Sequence, residues 1–396
     1  MIPPPHNPID AVTHPDPYPY YANLVANRPI YRDETAGFWV ASSAATVTAI
    51  LMSDLGRVRP PMEPVPTTLL DSPAADVFRH LVRMNDGQKH DPMKGAVSRA
   101  LRTLGADQIV EQSNTWARLL ADEMKLEAHP SRLTDFTFHL PAYVVASLLG
   151  IPQEKLQQTA LWMSDFVGCL VPTSSPEQLE QGKRAASHLL DMLHSMLGTQ
   201  KTRLASHLLN ALVYEAGLAE CTDKDVVVAN GIGFLSQTYE ATAGLIGNTL
   251  LTLARHQDVY AQVLADPDLL HPVIQEVLRY DPSVQNTRRY LAGSGTVAGE
   301  QMQEGDVVLV VLAAANRDPA ANADPTRFDM FRQSRRLFTF GTGIHACPGE
   351  DVAAIIARAG VEQLLLSGVN VLHLTEKVKY RSSGNVRVPL FKGAEL

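Results

Sequence analysis

The sequence predicts a mainly helical protein with small β-sheets, folded as a single domain. Apolar residues recur three and four positions apart across most of residues 88–280, which is the spacing of helices that bury one face. Three shorter parts, residues 30–50, 289–312 and 369–391, carry strand-like runs instead. No internal repeat, low-complexity segment or linker divides the chain, so we expect one domain over residues 1–396.

Within the helical part, the clearest periodicity covers residues 108–124, 142–149 and 185–197. The stretch 223–255 is also helix-like throughout and predicts a helix of roughly 50 Å, at about 1.5 Å per residue. Such a length indicates a central element around which other helices pack. The longest apolar run, residues 307–315, predicts a buried strand.

Composition and charge exclude several classes of function. The net charge is −8 without a long basic run, so nucleic acid is not an expected partner. The apolar run 307–315 is too short for a bilayer, which needs about 20 residues. Residues 1–6 carry neither a basic nor an apolar signal segment. Three cysteines without a CxxC pair suit a reducing compartment. We therefore expect a cytoplasmic monomer that makes no contact with a membrane.

The strongest signal is the run Phe340-Gly341-Thr342-Gly343-Ile344-His345-Ala346-Cys347-Pro348-Gly349. A cysteine thiolate can hold a haem iron and push electron density onto it. Glycines in the run allow the backbone to approach a macrocycle closely. Phe340 would shield the sulfur from water, and His345 would donate to a haem propionate. The helical pattern after Gly349 places the thiolate near a helix N-terminus, where negative charge is favoured.

This run matches the FGxGxHxCxG signature of the cytochromes P450 at every specified position, and the chain resembles soluble bacterial members of that family along nearly its whole length. The resemblance implies a single P450-type domain with a long central helix over the haem. It also implies a haem b cofactor with Cys347 as the axial thiolate ligand, and with Phe340, His345 and Gly349 in the surrounding loop.

A second matching motif is Glu276-Val277-Leu278-Arg279, whose first and last residues share a helix face and can pair. In the family, the arginine of a PxRF segment joins this pair in a buried triad that braces the loop before the cysteine. The resemblance assigns that role to Arg327, within Pro325-Thr326-Arg327-Phe328. These three residues are expected to be structural rather than catalytic.

The resemblance also implies residues that contact the haem propionates. His90 and Lys94 occupy the place of the family's HxxxR segment. Lysine stands where the family has arginine, and it would act as a point charge without a bidentate fork. Arg289 matches the family's strand arginine, and Arg288 is the competing choice.

The long helix departs from the family pattern of an acid followed by threonine, which guide protons to dioxygen. Here Glu240 takes the acid position and Ala241 the place of the threonine. Thr242 is rotated by about 100° around the helix and should not point at the iron. Glu240 with a water is the simplest relay. Gln237 or Thr238, one turn back, or a polar group of the substrate are the alternatives for holding that water.

The same register predicts which residues line the substrate pocket. They are Gly233, Ser236, Gln237 and Ala241 on the helix, with Gln285, Asn286 and Thr287 after the Glu276 helix. A pocket this rich in amides and hydroxyls predicts a small polar substrate, such as an amino acid, an aromatic acid or a close derivative. A substrate carboxylate would need a cation, for which Arg57, Arg59 and Arg83 are unranked candidates.

The leading interpretation is a monooxygenase that activates O₂ with externally supplied electrons, in a biosynthetic or catabolic pathway such as secondary metabolism. The alternative is a haem-thiolate enzyme of coupling, rearrangement or nitration chemistry, which Ala241 keeps open. A haem-thiolate sensor or transport protein is a third class, and Glu240 argues against it.

No reductase domain is apparent in the sequence, so the resemblance implies a separate ferredoxin or flavodoxin with its reductase. These donors are usually acidic, and a basic face on the cysteine side would attract them. The predicted members of that face are Lys94, Arg99, Arg102, Arg332, Arg335 and Arg336.

Overall fold

A computed structural model describes residues 3–171, 173–199, 207–375 and 378–391. These residues form two compact units. The first comprises the described residues within Met1–Pro60, Ala117–Thr137 and Glu240–Leu396, and the second those within Pro61–Trp116 and Phe138–Tyr239. The expectation of one domain over residues 1–396 stays a prediction.

Helices dominate the described residues, which confirms the predicted fold class. The α-helices are α1 (Tyr18–Asn27), α2 (Ala44–Leu51), α3 (Pro73–His80), α4 (Asp91–Arg102), α5 (Ala106–Met124), α6 (Leu133–Leu149), α7 (Leu156–Cys169), α8 (Pro176–Thr199), α9 (Leu208–Leu218), α10 (Lys224–Arg255), α11 (Gln257–Ala265), α12 (Leu270–Tyr280), α13 (Leu312–Asn316) and α14 (Glu350–Leu366). Among these, none is both long enough and apolar enough to cross a membrane. The longest, α10, has 32 residues and no proline, so its hydrogen bonds run without a break over about 48 Å.

The strands found in the described residues lie in the first unit. They are β1 (Ile30–Asp33), β2 (Phe38–Ala41), β3 (Gly56–Arg57), β4 (Thr287–Leu291), β5 (Gly295–Val297), β6 (Glu300–Met302), β7 (Val307–Val310), β8 (Lys379–Tyr380) and β9 (Pro389–Leu390). Five of them form one sheet in the order β1-β2-β7-β4-β3, in which only β2 and β7 are parallel. The pairs β5-β6 and β8-β9 are separate antiparallel ribbons.

The apolar run 307–315 is only partly a strand, contrary to the sequence prediction. β7 ends at Val310, and the short helix α13 begins at Leu312. Three consecutive alanines follow Leu312, and alanine has the highest helix propensity of all residues. A buried strand and a buried helix turn are equally apolar, so hydrophobicity alone does not distinguish them.

Two predicted strand regions contain helix as well. Residues 30–50 hold β1 and β2 but end in α2, where the Ser43 side chain caps the helix by accepting the Thr46 N–H. In residues 369–391 a 3₁₀ helix, Val371–Thr375, precedes the two-residue strands β8 and β9.

A buried ion pair joins the two ends of the described chain within the first unit. The Arg387 side chain is 0% exposed, and its Nε donates to Asp281 Oδ1 at 3.0 Å. Its Nη1 donates to the carbonyls of Val12 and His14. Burial alone lowers the pKa of a guanidinium, but Asp281 and neighbouring tyrosines outweigh it and raise the pKa of Arg387. A charged Arg387 therefore ties the N-terminal segment to the C-terminal one.

The C-terminal segment packs directly against the backbone of α10, because two glycines of the helix leave room for it. A Cβ on Gly244 would lie 2.7 Å from the Arg387 carbonyl oxygen and 2.7 Å from Ser283 Cβ. A Cβ on Gly247 would lie 3.0 Å from the Pro389 ring. This close approach sets the position of residues 381–390 along the helix.

We expect Gly244→Ala to lower the free energy of unfolding by about 1–3 kcal/mol, because the new methyl group meets backbone that cannot move aside. The measurement is urea unfolding. The control is Gly217→Ala in α9, where nothing lies within 4 Å of the new Cβ and where alanine adds up to about 1 kcal/mol of stability. Equal stability of Gly244→Ala and the wild type would show that the close approach is absent.

Candidate active site

The loop that carries Cys347 folds back on itself just before α14. The Cys347 N–H donates to the Phe340 carbonyl at 2.8 Å. Gly341 and Gly343 have φ angles of 69° and 73°, in the left-handed region that glycine adopts without strain. A Cβ on Gly343 would also lie 2.8 Å from the Met52 sulfur. The loop therefore requires these glycines, and it leaves the Cys347 side chain exposed.

The Cys347 sulfur lies at the N-terminal end of α14. The Gly349 N–H donates to Sγ at an N···S distance of 3.4 Å. Burial, and then Asp351, raises the pKa of Glu350 in the first turn, so burial opposes negative charge on that side chain. A backbone N–H and the positive end of a helix dipole both favour a thiolate. This donor chemistry fits an axial ligand to haem iron.

Glu276 and Arg279 of α12 form a fully buried ion pair. Arg279 Nη2 donates to Glu276 Oε1 at 2.6 Å, and both side chains are 0% exposed. The same carboxylate pairs with Arg332 at 3.2 Å and with Arg335 at 2.9 Å. Burial by itself raises the pKa of a carboxyl group. Hydrogen bonds and charges from Arg279 and Arg335 outweigh that effect and hold the pKa of Glu276 below its usual value.

The assignment of the Arg327 side chain to this cluster is wrong. Arg327 is exposed, and it takes part through its backbone carbonyl, which accepts from Arg279 at 3.1 Å and from Arg332 at 3.2 Å. Turns closed by the N–H groups of Arg327 and Arg332 direct the first side chain outward and the second onto Glu276. Arg332 and Arg335 therefore fill the role that was predicted for Arg327.

Asn316, at the end of α13, connects this cluster to the cysteine loop. Its Oδ1 accepts the Phe338 N–H at 2.7 Å, and its Nδ2 donates to Thr339 Oγ1 at 2.8 Å. Its own carbonyl accepts from Arg279 Nη1 at 3.4 Å. Because Phe338 and Thr339 directly precede Phe340, the buried pair holds the loop through Asn316. Asn316 is not predicted from the sequence, because it directly follows the apolar run 307–315, which favours a strand.

Strand β4 resolves the choice between Arg288 and Arg289 in terms of burial. Successive strand residues point to opposite faces. Arg289 is 6% exposed, with Nη1 donating to the Arg288 carbonyl at 2.9 Å, whereas Arg288 is half-buried. Arg289 is therefore the better candidate for an anion enclosed by protein.

His345 is half-buried in the 3₁₀ turn Gly343–His345, and Phe340 is half-buried just before it.

His90 and Lys94 lie at the start of α4 in the second unit. His90 is 2% exposed, and its Nδ1 lies 2.8 Å from Asp91 Oδ1. The Lys94 N–H donates to the His90 carbonyl at 2.7 Å, so the two residues stand one turn apart on the same side of the helix. Lys94 is half-buried. Their contact with a propionate stays a prediction.

The polar candidates in the second-unit part of α10 bond to their own helix. The Ser236 hydroxyl and the Gln237 amide both donate to the Gly233 carbonyl, at 3.4 Å and 2.9 Å. The Thr238 hydroxyl donates to the Phe234 carbonyl at 2.7 Å. Such bonds to the preceding turn use donors that the sequence analysis assigned to substrate or water.

Glu240 instead bonds outside its helix. Its Oε1 lies 3.3 Å from Arg381 Nε, in the segment after β8. The next residue, Ala241, is half-buried. Thr242 is 0% exposed, and its hydroxyl has no hydrogen-bond partner among the described residues. Thr242 therefore points into packed protein.

Gln285 does not offer its amide to a substrate, contrary to the sequence assignment. It is 0% exposed, its Nε2 donates to the Pro282 carbonyl at 2.6 Å, and its Oε1 accepts from the Tyr21 hydroxyl at 3.0 Å. The turn before β4 folds the side chain inward, where both ends of the amide are satisfied. Asn286 differs, because its Nδ2 donates to Gly384 while its buried Oδ1 has no partner within the described part of the chain.

The chain is similar to known cytochromes P450 in sequence and in structure. The family model for cytochrome P450 matches residues 177–367. The cytochrome P450 monooxygenase PikC of Streptomyces venezuelae is 29% identical over 360 residues, which cover 88% of this chain and 83% of that protein. The biotin biosynthesis cytochrome P450 of Bacillus subtilis (strain 168) is 24% identical over 352 residues, 88% of each chain. The crystal structure of CalO2 matches with a TM-score of 0.81 and 25% identity, over 97% of this chain and 96% of that one.

The chain belongs to the cytochrome P450 family. It is therefore an oxidoreductase that uses dioxygen, and its relative PikC is a monooxygenase. Among P450s, the cysteine loop is the site of haem ligation.

Three of the six cations in the basic face predicted for this P450 take part in ion pairs. Arg332 and Arg335 contact the buried Glu276, and Arg99 pairs with Glu215. Their charges are neutralised in place, so this part of the prediction is wrong. Of the other three cations, Arg102 and Arg336 are exposed, and Lys94 is half-buried.

Proposed function

We propose that this P450 is a haem-thiolate monooxygenase that oxidises a small polar organic molecule, with Cys347 as the axial ligand of haem b. One observation carries the proposal: an exposed cysteine, on a loop that only glycines can form, receives a backbone N–H at the start of α14. Bound haem supplies the activation of dioxygen. Electrons come from a separate ferredoxin or flavodoxin and its reductase, and the enzyme works in the reducing cytoplasm.

The surrounding residues have supporting roles in this proposal. Phe340 would shield the sulfur from water, and the Gly349 N–H moderates its charge. Arg289 and His345 would neutralise haem propionates, and His90 and Lys94 have the same proposed role. The braced pair Glu276–Arg279 is structural and keeps the loop ready for the haem.

Glu240 is the proposed proton-delivering acid. The donors of Gln237 and Thr238 are already used within α10, which leaves Glu240 as the candidate whose carboxylate reaches beyond the helix. Ala241 contributes no hydroxyl, so a water or a polar group of the substrate completes the path. A carboxylate that takes up a proton from solvent and passes it inward acts by general acid–base catalysis.

The proposal of a polar substrate has fewer supporting residues than the sequence predicted, because Gln285, Ser236 and the Gln237 nitrogen are hydrogen-bonded within the protein. Its remaining support is Asn286, whose buried Oδ1 has no partner in the described chain. An unpaired buried acceptor costs about 1–3 kcal/mol, which an N–H or O–H of a substrate removes. The name of one relative, the biotin biosynthesis cytochrome P450 of Bacillus subtilis, supports a role in biosynthesis.

A second candidate function is non-hydroxylating chemistry, that is coupling, rearrangement or nitration on the same haem. The observation that favours it is Ala241, together with a Thr242 hydroxyl that is buried and unpartnered in the described structure. Neither side chain then supports the ordinary alcohol-assisted proton path.

A substrate screen tests both candidates. Amino acids and aromatic acids are expected to shift the haem from low spin to high spin, and turnover under ¹⁸O₂ is expected to place one labelled oxygen in the product. A product without the label would favour the second candidate. Spin shifts with terpenes or long-chain acids, and none with the polar compounds, would overturn the proposed substrate class. Asn286→Ala is expected to weaken polar ligands by about tenfold.

A further inference from the structure

Glu240 and Arg381 form an ion pair between α10 and the C-terminal ribbon. The distance from Arg381 Nε to Glu240 Oε1 is 3.3 Å, and the side chains are 28% and 17% exposed, respectively. Arg381 follows β8, and its N–H donates to the Val388 carbonyl at 2.9 Å. A partly exposed ion pair adds little stability by itself. One partner of this pair, Glu240, is the proposed proton-delivering acid.

The backbone on both sides determines where Arg381 stands. Glu240, Gly244 and Gly247 are spaced i, i+4 and i+7 and share one face of α10. Residues 387–389 pack onto that face because neither glycine has a side chain. On its other side, the C-terminal segment is paired with the segment before β4, where the Arg387 N–H donates to the Ser283 carbonyl at 2.7 Å. The pair is thus anchored by close packing, unlike two mobile side chains on a surface.

Arg381 is a cation that reaches Glu240 from the C-terminal ribbon. Residues 236–239 and 241–244, one turn to either side of Glu240 on α10, carry no charged side chain. Lys379 is the next described cation on the ribbon, and it is exposed. An opposite charge within about 4–6 Å favours the ionised form of a carboxyl group. Arg381 therefore acts on both the orientation and the protonation of Glu240.

We propose that Arg381 is the positioning residue for Glu240: it holds the carboxylate in one orientation and restores it there after each proton has been passed on. This inference rests on the proposed role of Glu240. Arg381 touches neither substrate nor haem in this role and acts through Glu240 alone. The proton leaves one Glu240 oxygen and is replaced from solvent, while the guanidinium keeps its own protons throughout.

The experiment compares Arg381→Met, Arg381→Lys, Glu240→Gln and the Arg381→Met/Glu240→Gln double variant in the holoenzyme. Glu240→Gln is expected to lower the maximal rate about 100-fold, and Arg381→Met about tenfold, with substrate affinity within about twofold of the wild type. Arg381→Lys, which keeps the cation, is expected to recover most of the rate. The double variant is expected to match Glu240→Gln, because a residue that acts through Glu240 has nothing left to act on.

A second measurement does not depend on turnover. An infrared pH titration follows the carboxyl band that is absent from Glu240→Gln. In Arg381→Met this band is expected to appear at a higher pH than in the wild type, because the neighbouring positive charge is gone. The matched control is Lys379→Met, which removes a cation from the same ribbon and is expected to leave both the rate and the band unchanged.

Several results would overturn the proposal. If the losses in the double variant multiply, Arg381 acts independently of Glu240. If Arg381→Met weakens substrate binding at an unchanged maximal rate, Arg381 anchors the substrate instead. If Arg381→Met lowers the unfolding midpoint and the band does not move, its role is structural. A Glu240→Gln variant with full activity would remove the proposed role of the acid itself, and the positioning role with it.

Discussion

Replacing Cys347 with serine is expected to abolish the red-shifted Soret band of the reduced carbon monoxide complex, and turnover with it. The band depends on a thiolate that pushes electron density onto the iron, and a serine hydroxyl does not supply that density. In the structure Cys347 is exposed, receives the Gly349 N–H and lies at the start of α14. The measurement is the difference spectrum of the reduced protein with and without carbon monoxide.

The other two cysteines provide matched controls. Cys169 is 2% exposed, its sulfur donates to the Phe166 carbonyl, and burial raises the pKa of its thiol to about 11. Cys221 is half-buried and also free. Cys169→Ser and Cys221→Ser are therefore expected to keep the band. A wild-type protein that binds haem but lacks the band would contradict the assignment of Cys347, and so would loss of the band in either control.

Replacing Glu276 with glutamine is expected to lower the free energy of unfolding by about 3–5 kcal/mol. The substitution leaves the guanidinium groups of Arg279, Arg332 and Arg335 around a site that no longer carries a charge. A domain is stable by only about 5–15 kcal/mol, so this loss is a large fraction of the total. The measurement is the urea midpoint, together with the fraction of protein that retains haem.

A surface ion pair is the appropriate control for Glu276→Gln. Asp76 and Arg79 pair at 2.9 Å on α3, where their side chains are 57% and 47% exposed. Asp76→Asn is expected to cost no more than about 1 kcal/mol, because water screens that pair. Equal effects of the two substitutions would show that the Glu276 cluster does not brace the fold.

The same carboxylate has a defined dependence on pH. The pKa of Glu276 in the folded protein is lower than its usual value, because arginine contacts outweigh burial. A depressed pKa contributes stability that is fully present above the unfolded value, about 4.3, and is lost as the pH falls through the folded value. The difference in unfolding free energy between the wild type and Glu276→Gln is therefore expected to be constant near neutral pH and to shrink below about pH 4.

Local chemistry explains why the sequence predicts so much of the site. The haem-ligand loop lies within ten consecutive residues, 340–349, and the partners Glu276 and Arg279 are one helical turn apart. The fold class follows from the period of apolar residues, which covers most of residues 88–280. These features depend on neighbours along the chain, and the sequence order specifies such neighbours directly.

The tertiary structure alone decided the contacts between distant segments. The predicted partner of Glu276 was Arg327, but the structure shows Arg332 and Arg335 in that place, because turns in that region direct the Arg327 side chain outward. The spacing of arginines along the chain does not determine which way each side chain points. The hydrophobicity of an apolar run does not determine whether it forms a strand or a helix.

By itself, then, the sequence determined the helical fold class and the candidate ligand loop, both as predictions from contiguous residues. The structure determined which buried amides and charges already have partners. The Gln285 side chain accepts a hydrogen bond from Tyr21. Glu240 pairs with Arg381 of the C-terminal segment, which packs against two glycines of α10. The physical reason is that a polar side chain is available to a ligand only when no other segment satisfies it, and packing decides which segments meet.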